Sequence, residues 1–102
     1  MKKTIWKFEL EIADKQTIEM PVNAEILTVQ TQNEIPCLWA LVDPDDPKED
    51  RVIKIFGTGH PIVYDAGVDR KYIGTYQLRG GSLVFHVFEY TSAQPLMHNV
   101  KM

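Results

Sequence analysis

The sequence contains a single cysteine, Cys37, which rules out an intrachain disulfide and any metal site built on cysteine pairs. Its longest apolar run, Cys37 to Val42, falls far short of the roughly 20 residues that a membrane helix requires. The basic start Met1-Lys2-Lys3 leads into no apolar stretch of signal-peptide length. Together these predict a cytosolic protein, encoded by a cell or by something replicating inside one, with no membrane partner. Excess positive charge is also missing: 11 Lys and Arg against 14 Asp and Glu give a net charge of −3. Binding to DNA or RNA strands needs a basic footprint, so neither is expected as a partner. No segment has the apolar period of an amphipathic helix; Asp14–Met20 comes nearest and is too short.

Catalytic signatures are equally scarce. There is no Gly-x-Ser-x-Gly elbow and no Gly-Lys-Ser/Thr phosphate loop. His60, His86 and His98 have no metal-ligand spacing. His86 lies in a strand among aromatics and reads as a satisfied core or interface histidine; His98 reads as solvated. The sequence therefore predicts no catalytic residue, metal or cofactor, and no enzyme.

What is present is a period of two. The 102 residues suit one domain, and surface scaling lets a chain of 11.7 kDa bury about 65% of its extended surface. Thr4–Glu11 alternates, with Trp6, Phe8, Leu10 and Ile12 on one face. Gln16–Met20 reads as a second strand, with Asp14-Lys15 as a hairpin tip before it. In Glu25–Gln32, Leu27 and Val29 face one way and Ile26, Thr28, Gln30 and Gln32 the other. Pro36–Val42 is apolar on both faces. Asp43–Asp50, with two prolines and five acids, reads as an exposed, solvated loop lacking the ligand spacing and glycine of a calcium site. Arg51–Phe56, Lys71–Arg79 and Ser82–Tyr90 complete the set, the last two joined at Gly80-Gly81. Asp65–Arg70 reads as a polar connection, and residues 91–102 as a C-terminal tail.

The predicted fold is all-β, a small sandwich or barrel of six to seven mainly antiparallel strands spanning residues 1–102. Strands apolar on both faces exceed what one small sandwich covers, which predicts a homo-oligomer. Most of the aromatics should fill the core.

The most unusual local sequence is Gly57-Thr58-Gly59-His60-Pro61, directly after a strand. Two readings stand side by side. The glycines make a sharp turn needing positive φ, or they let backbone N–H groups approach an anion while Thr58 and His60 donate hydrogen bonds. Arg51 and Lys54 nearby favour the second reading. Gln30 and Gln32 offer donors and acceptors suited to base edges, although a solvated strand face explains them too. Trp39 is the aromatic best placed to stack beside them. Cys37, inside an apolar run, reads as a small buried hydrophobe.

The succession Leu38-Trp39-Ala40-Leu41-Val42-Asp43-Pro44, Gly57-Thr58-Gly59-His60-Pro61-Ile62, Tyr72-Ile73-Gly74-Thr75 and Val87-Phe88-Glu89 resembles a family of small phage and prophage proteins, from about Lys3 to Tyr90. That family is in turn similar to the anti-CBASS sponges, phage proteins that sequester the cyclic dinucleotide signals of bacterial immunity without cleaving them. The resemblance implies an immune-evasion protein of the host cytoplasm that binds a cyclic nucleotide. Its site would combine Gly57, Thr58, Gly59 and His60 with Arg51 or Lys54 for phosphate charge, and Gln30, Gln32 and Trp39 for a base. An inhibitor of a host protein and a small virion or assembly protein remain the alternatives.

Overall fold

The computed structural model describes residues 2–64 and 67–92. Among them, seven strands run in chain order: β1 (Thr4–Glu9), β2 (Lys15–Pro21), β3 (Glu25–Gln32), β4 (Ile35–Val42), β5 (Lys48–Gly57), β6 (Val68–Leu78) and β7 (Leu83–Ser92). They form a three-stranded sheet in the order β1-β4-β3 and a four-stranded sheet in the order β2-β5-β7-β6, every pairing antiparallel. The all-β expectation therefore holds. A period of two produces this because each strand offers one apolar face, and the two faces close on each other.

The core lies between the sheets. Val29 and Leu38 of the three-stranded sheet meet Ile53, Ile55, Tyr76, Leu78 and Val87 of the four-stranded one. A second cluster gathers Met20, Ala24, Ala40 and Val42, with Trp6, Phe8 and Ile18 packed against it. Met20, Leu38 and Ile53 are fully covered, each such side chain stabilising the fold by about 1.5–3 kcal/mol. The sheets come closest where β3 crosses β6. A Cβ added at Gly74 would stand 2.8 Å from Val29 Cγ1, so glycine is what permits this approach.

The structure redraws several boundaries. Trp6, Phe8 and Leu10 face inward, but β1 ends at Glu9, and Ile12 is 60% exposed. Residues Asp14-Lys15 are no hairpin tip, because β1 pairs with β4 and β2 with β5. The chain leaves one sheet for the other here. Leu10 N–H still donates to Pro36 O, and the Gln16 amide bridges the Glu11 backbone N–H and C=O. The alternation of β3 slips at Leu27, where a bulge puts Ile26 and Val29 both inward and leaves Leu27 44% exposed. The acidic loop is shorter than expected, since Lys48, Glu49 and Asp50 already pair in β5. Likewise, Val68–Arg70 belong to β6 and Thr91-Ser92 to β7. The rest of the proposed tail, 93–102 with His98, lies outside the described residues, as do residues 65 and 66 of the proposed connection.

The two hairpin turns meet each other. Asn33 and Glu34 turn β3 into β4 with φ of 52° and 66°, the left-handed pair that a two-residue hairpin requires. Arg79, at φ 53°, opens the turn between β6 and β7, and its N–H donates to Glu34 Oε1 at 3.1 Å. The bond ties the tips of the two sheets together.

Candidate functional site: the open face of the four-stranded sheet

The inner face of the four-stranded sheet is core, so strand parity sends the alternate residues outward. Register then lays them out in rows. Val52, Tyr90 and Arg70 make one row; Lys54, Phe88 and Tyr72 make the next; Phe56, His86 and Thr75 make the third. The rings form one continuous surface: Phe56 and Phe88 are 5.9 Å apart between centroids, Tyr72 and Phe88 5.3 Å, Phe56 and Tyr90 6.4 Å. Cations lie among them. Lys54 Nζ sits 4.4 Å from the Tyr90 ring centre, and the Arg70 guanidinium 4.4 Å from that of Tyr64.

The Gly57–His60 segment closes one side of this surface. His60 N–H donates to Gly57 O, and Gly59 takes φ of 89°. The glycines therefore do make the sharp turn that the sequence suggested. At Gly57 any Cβ would lie 3.0 Å from the His60 ring, so the loop folds its own histidine back against its start. Between this loop and the sheet is a cleft of about 350 Å³ whose walls include Phe56, Phe88, Tyr72, Thr58, His60 and His86. That volume suits a small organic ligand.

A polar chain crosses the cleft floor. Thr58 Oγ1 is 2.6 Å from His86 Nε2, and Thr75 Oγ1 is 2.9 Å from His86 Nδ1; Thr75 is hydrogen-bonded in turn to the Tyr72 hydroxyl. Both imidazole nitrogens are thus engaged, which anchors the loop through Thr58 to β7 and β6. His86 is a satisfied histidine, as expected, but on the open face and not in the core.

Of the residues singled out from sequence, Gly57, Thr58, Gly59 and His60 line this cleft, and Lys54 stands at its edge beside Phe56 and His60. The others lie elsewhere. Arg51 points between the sheets, because it shares parity with Ile53 and Ile55. Its guanidinium makes a two-pronged ion pair with Glu89, and Nη1 donates to Ala24 O at 3.0 Å. The hydrogen bonds that Arg51 donates to Glu89 push the Arg51 pKa further up, and the group remains charged. Gln30, Gln32 and Trp39 belong to the three-stranded sheet. Trp39 and Gln30 are on its outer face, and Gln32 accepts a hydrogen bond from Lys7 at 2.7 Å. The structure does not bring these four to the glycine loop.

A larger cleft, about 520 Å³, opens beside Arg51. Glu49, Asp50 and Glu89 surround its one arginine, which is already committed. An anion would meet repulsion there, so the aromatic cleft is the better ligand site despite its size.

Sequence reasoning overlooked Phe56, Phe88, Thr75 and Arg70, and counted Tyr72 among aromatics expected mostly in the core. Lys15 was overlooked as well. It stands directly opposite Lys54 in the β2–β5 register, two cations with Asp14 lining the same cleft. The expectation that most aromatics are core holds for Tyr76, 3% exposed, and fails for Tyr72 and Tyr64, 55% and 83% exposed. Cys37 is buried, and burial raises its thiol pKa.

Fold and face together define an all-β, two-sheet domain with an open surface of aromatic rings and cations. The chain belongs to DUF7352, a family described as a domain of unknown function, which it matches over residues 1–97. No curated protein and no solved structure matches it. No helix among the described residues is long and apolar enough to cross a membrane.

Proposed function

We propose that this protein binds a cyclic nucleotide on the open face of the four-stranded sheet and sequesters it without cleaving it, as a phage protein that evades cyclic-nucleotide immunity. One observation carries the reading: the aromatic floor of Phe56, Phe88 and Tyr72 shares a cleft with the glycine loop and borders the facing pair Lys15 and Lys54. Sheet-surface aromatics stack nucleobases, backbone N–H groups of a glycine loop cradle phosphate oxygens, and lysine offsets phosphate charge. The polar chain supports binding by holding the glycine loop against the sheet through Thr58, His86 and Thr75, so the cleft is formed before a ligand enters.

Self-association belongs to the same proposal. The outer face of the three-stranded sheet exposes Ile5 and Ile35, and the buried indole N–H of Trp39 has no hydrogen-bond partner among the described residues. A second copy docking there would cover the aliphatic surface.

Native mass spectrometry of the protein purified from phage-infected bacteria tests the main reading. The expected result is a co-purified cyclic nucleotide that binds at about 1 μM or tighter, near −8 kcal/mol, and is recovered unchanged after incubation. Absence of both retained ligand and calorimetric heat across a panel of cyclic mono- and dinucleotides rejects it. A single host protein captured at equal stoichiometry would favour the inhibitor reading instead.

A further inference from the structure

We infer that the open face carries a second base-stacking subsite, built by Tyr64 on Arg70 and Tyr90, so that the ligand taken is a nucleotide with two bases. The inference rests on the nucleotide reading above and extends it beyond the glycine-loop cleft.

Tyr64 is an aromatic side chain left 83% exposed, so its ring is accessible to a ligand. Yet it is not loose. The Arg70 guanidinium lies 4.4 Å from its ring centre and 5.2 Å from that of Tyr90, so the arginine is clasped between two rings. Arg70 Nε donates to the Tyr90 hydroxyl at 3.1 Å, and Nη2 donates to Val63 O at 3.3 Å. These bonds fix the guanidinium plane, and the guanidinium fixes the tyrosine. One side of the Tyr64 ring is thus occupied while the ring as a whole stays open to solvent. A pre-oriented platform of this kind loses little side-chain freedom when a base stacks on it.

Its position relative to the first cleft completes the argument. Phe88, in the cleft floor, and Tyr90, under Arg70, are alternate residues of β7 on one face, separated by about 7 Å along the strand. Lys54 is paired with Phe88 and lies over Tyr90, which puts a cation between the two stations. The order along the face is therefore the Phe88 ring, Lys54, Arg70 and the Tyr64 ring, two stacking stations with two cations between them. A ligand with two bases joined through phosphates presents the matching order of π-surface and negative charge. Aromatic residues on a sheet surface stack successive bases by the same geometry.

The test is calorimetric titration of the full chain and of Tyr64→Ala and Tyr64→Trp with cyclic di-AMP, cyclic di-GMP, cyclic AMP and cyclic GMP. One dinucleotide should bind the unaltered protein at least about 10-fold more tightly than the mononucleotide of the same base. Tyr64→Ala should erase that margin while leaving mononucleotide affinity intact, and Tyr64→Trp should keep it. An unchanged thermal midpoint for both variants is expected, because Tyr64 adds nothing to the core. Equal binding of mono- and dinucleotides overturns the second subsite and leaves the nucleotide reading standing. So does a margin that survives Tyr64→Ala, or a loss of mononucleotide binding in that variant. If none of the four binds the unaltered protein, the nucleotide reading falls and takes the subsite with it.

Discussion

The two outward sheet faces of this molecule differ in kind. On the four-stranded sheet, aromatic rings alternate with Lys54 and Arg70, and a hydrogen-bonded chain through His86 holds the neighbouring loop. On the three-stranded sheet the exposed large apolar residues are aliphatic, Ile5 and Ile35, with the single ring of Trp39 half-buried between them, and Lys7 is tied to Gln32 across the surface. Both faces leave apolar area in water, but flat rings beside cations suit a planar anionic ligand, and branched side chains with few donors suit another protein surface. Exposure alone does not identify a ligand site; the pairing of π-surface with positive charge does.

The sharpest test of that distinction uses two cations three residues apart on β5. Arg51 faces inward and pairs with Glu89, their side chains 16% and 8% exposed. Lys54 faces outward over Tyr90. Glu89→Ala should lower stability by about 1–3 kcal/mol in urea unfolding, because it removes the two-pronged partner of Arg51 and leaves only Ala24 O and Glu49. Lys54→Ala should leave unfolding within about 0.5 kcal/mol and weaken nucleotide binding instead. If Glu89→Ala unfolds like the unaltered protein, the inner pair contributes nothing to the fold. If Lys54→Ala binds normally, the outer face is not where phosphate charge is met.

Next in size is an exchange between the faces. Phe88→Ala removes the centre of the aromatic floor and should cost about 1–3 kcal/mol of ligand binding in calorimetry, with the oligomeric state untouched. Replacing Ile5 and Ile35 together with serine should do the reverse. Light scattering should show the assembly reduced to single chains, while ligand affinity per chain stays constant. Should both sets of changes alter both measurements, the two faces are one surface functionally and the contrast drawn between them is lost.

Parity explains how far the sequence could be read. Alternation in Arg51–Phe56 separates Arg51 from Lys54 by itself, since Arg51 falls in step with Ile53 and Ile55 and Lys54 with Phe56. The glycine loop was legible because Gly57 and Gly59 flank a hydroxyl where a strand ends. What alternation cannot give is which face of β7 is inward, because Leu83, Phe85 and Val87 compete with Val84, Phe88 and Tyr90 on nearly equal apolar terms. The partner strands decide it. Nor does parity survive a bulge: slips at Leu27 and beside Ile73 re-aim the residues that follow. Gln30, Gln32 and Trp39 were joined to the glycine loop for want of the sheet order, a property of distant pairing that no local pattern encodes.

The smallest expected effect concerns how firmly each layer is sealed. Cys37 lies beneath the three-stranded sheet's outer surface at 1% exposure, and Tyr76 lies between the sheets at 3%. Burial raises both acids above their ordinary values of 9.0 and 10.0, because the charged forms would be stripped of water. The folded chain therefore holds protons that the unfolded chain releases. The stabilisation is complete below the unfolded values and is lost as pH rises through them toward the folded ones, by at most about 1.4 kcal/mol per pH unit for each group. Urea unfolding from pH 7 to 10.5 should show this decline. Cys37→Ala should remove the thiol's share, and Tyr76→Phe the phenol's. Tyr76→Phe should cost little at pH 7, since its buried hydroxyl has no hydrogen-bond partner among the described residues. In the native protein at pH 8, iodoacetamide should modify Cys37 far more slowly than in urea. Equal alkylation rates in the two conditions would mean that the aliphatic face is open down to its cysteine. Its exposed isoleucines would then mark a loose surface and not a preformed docking face.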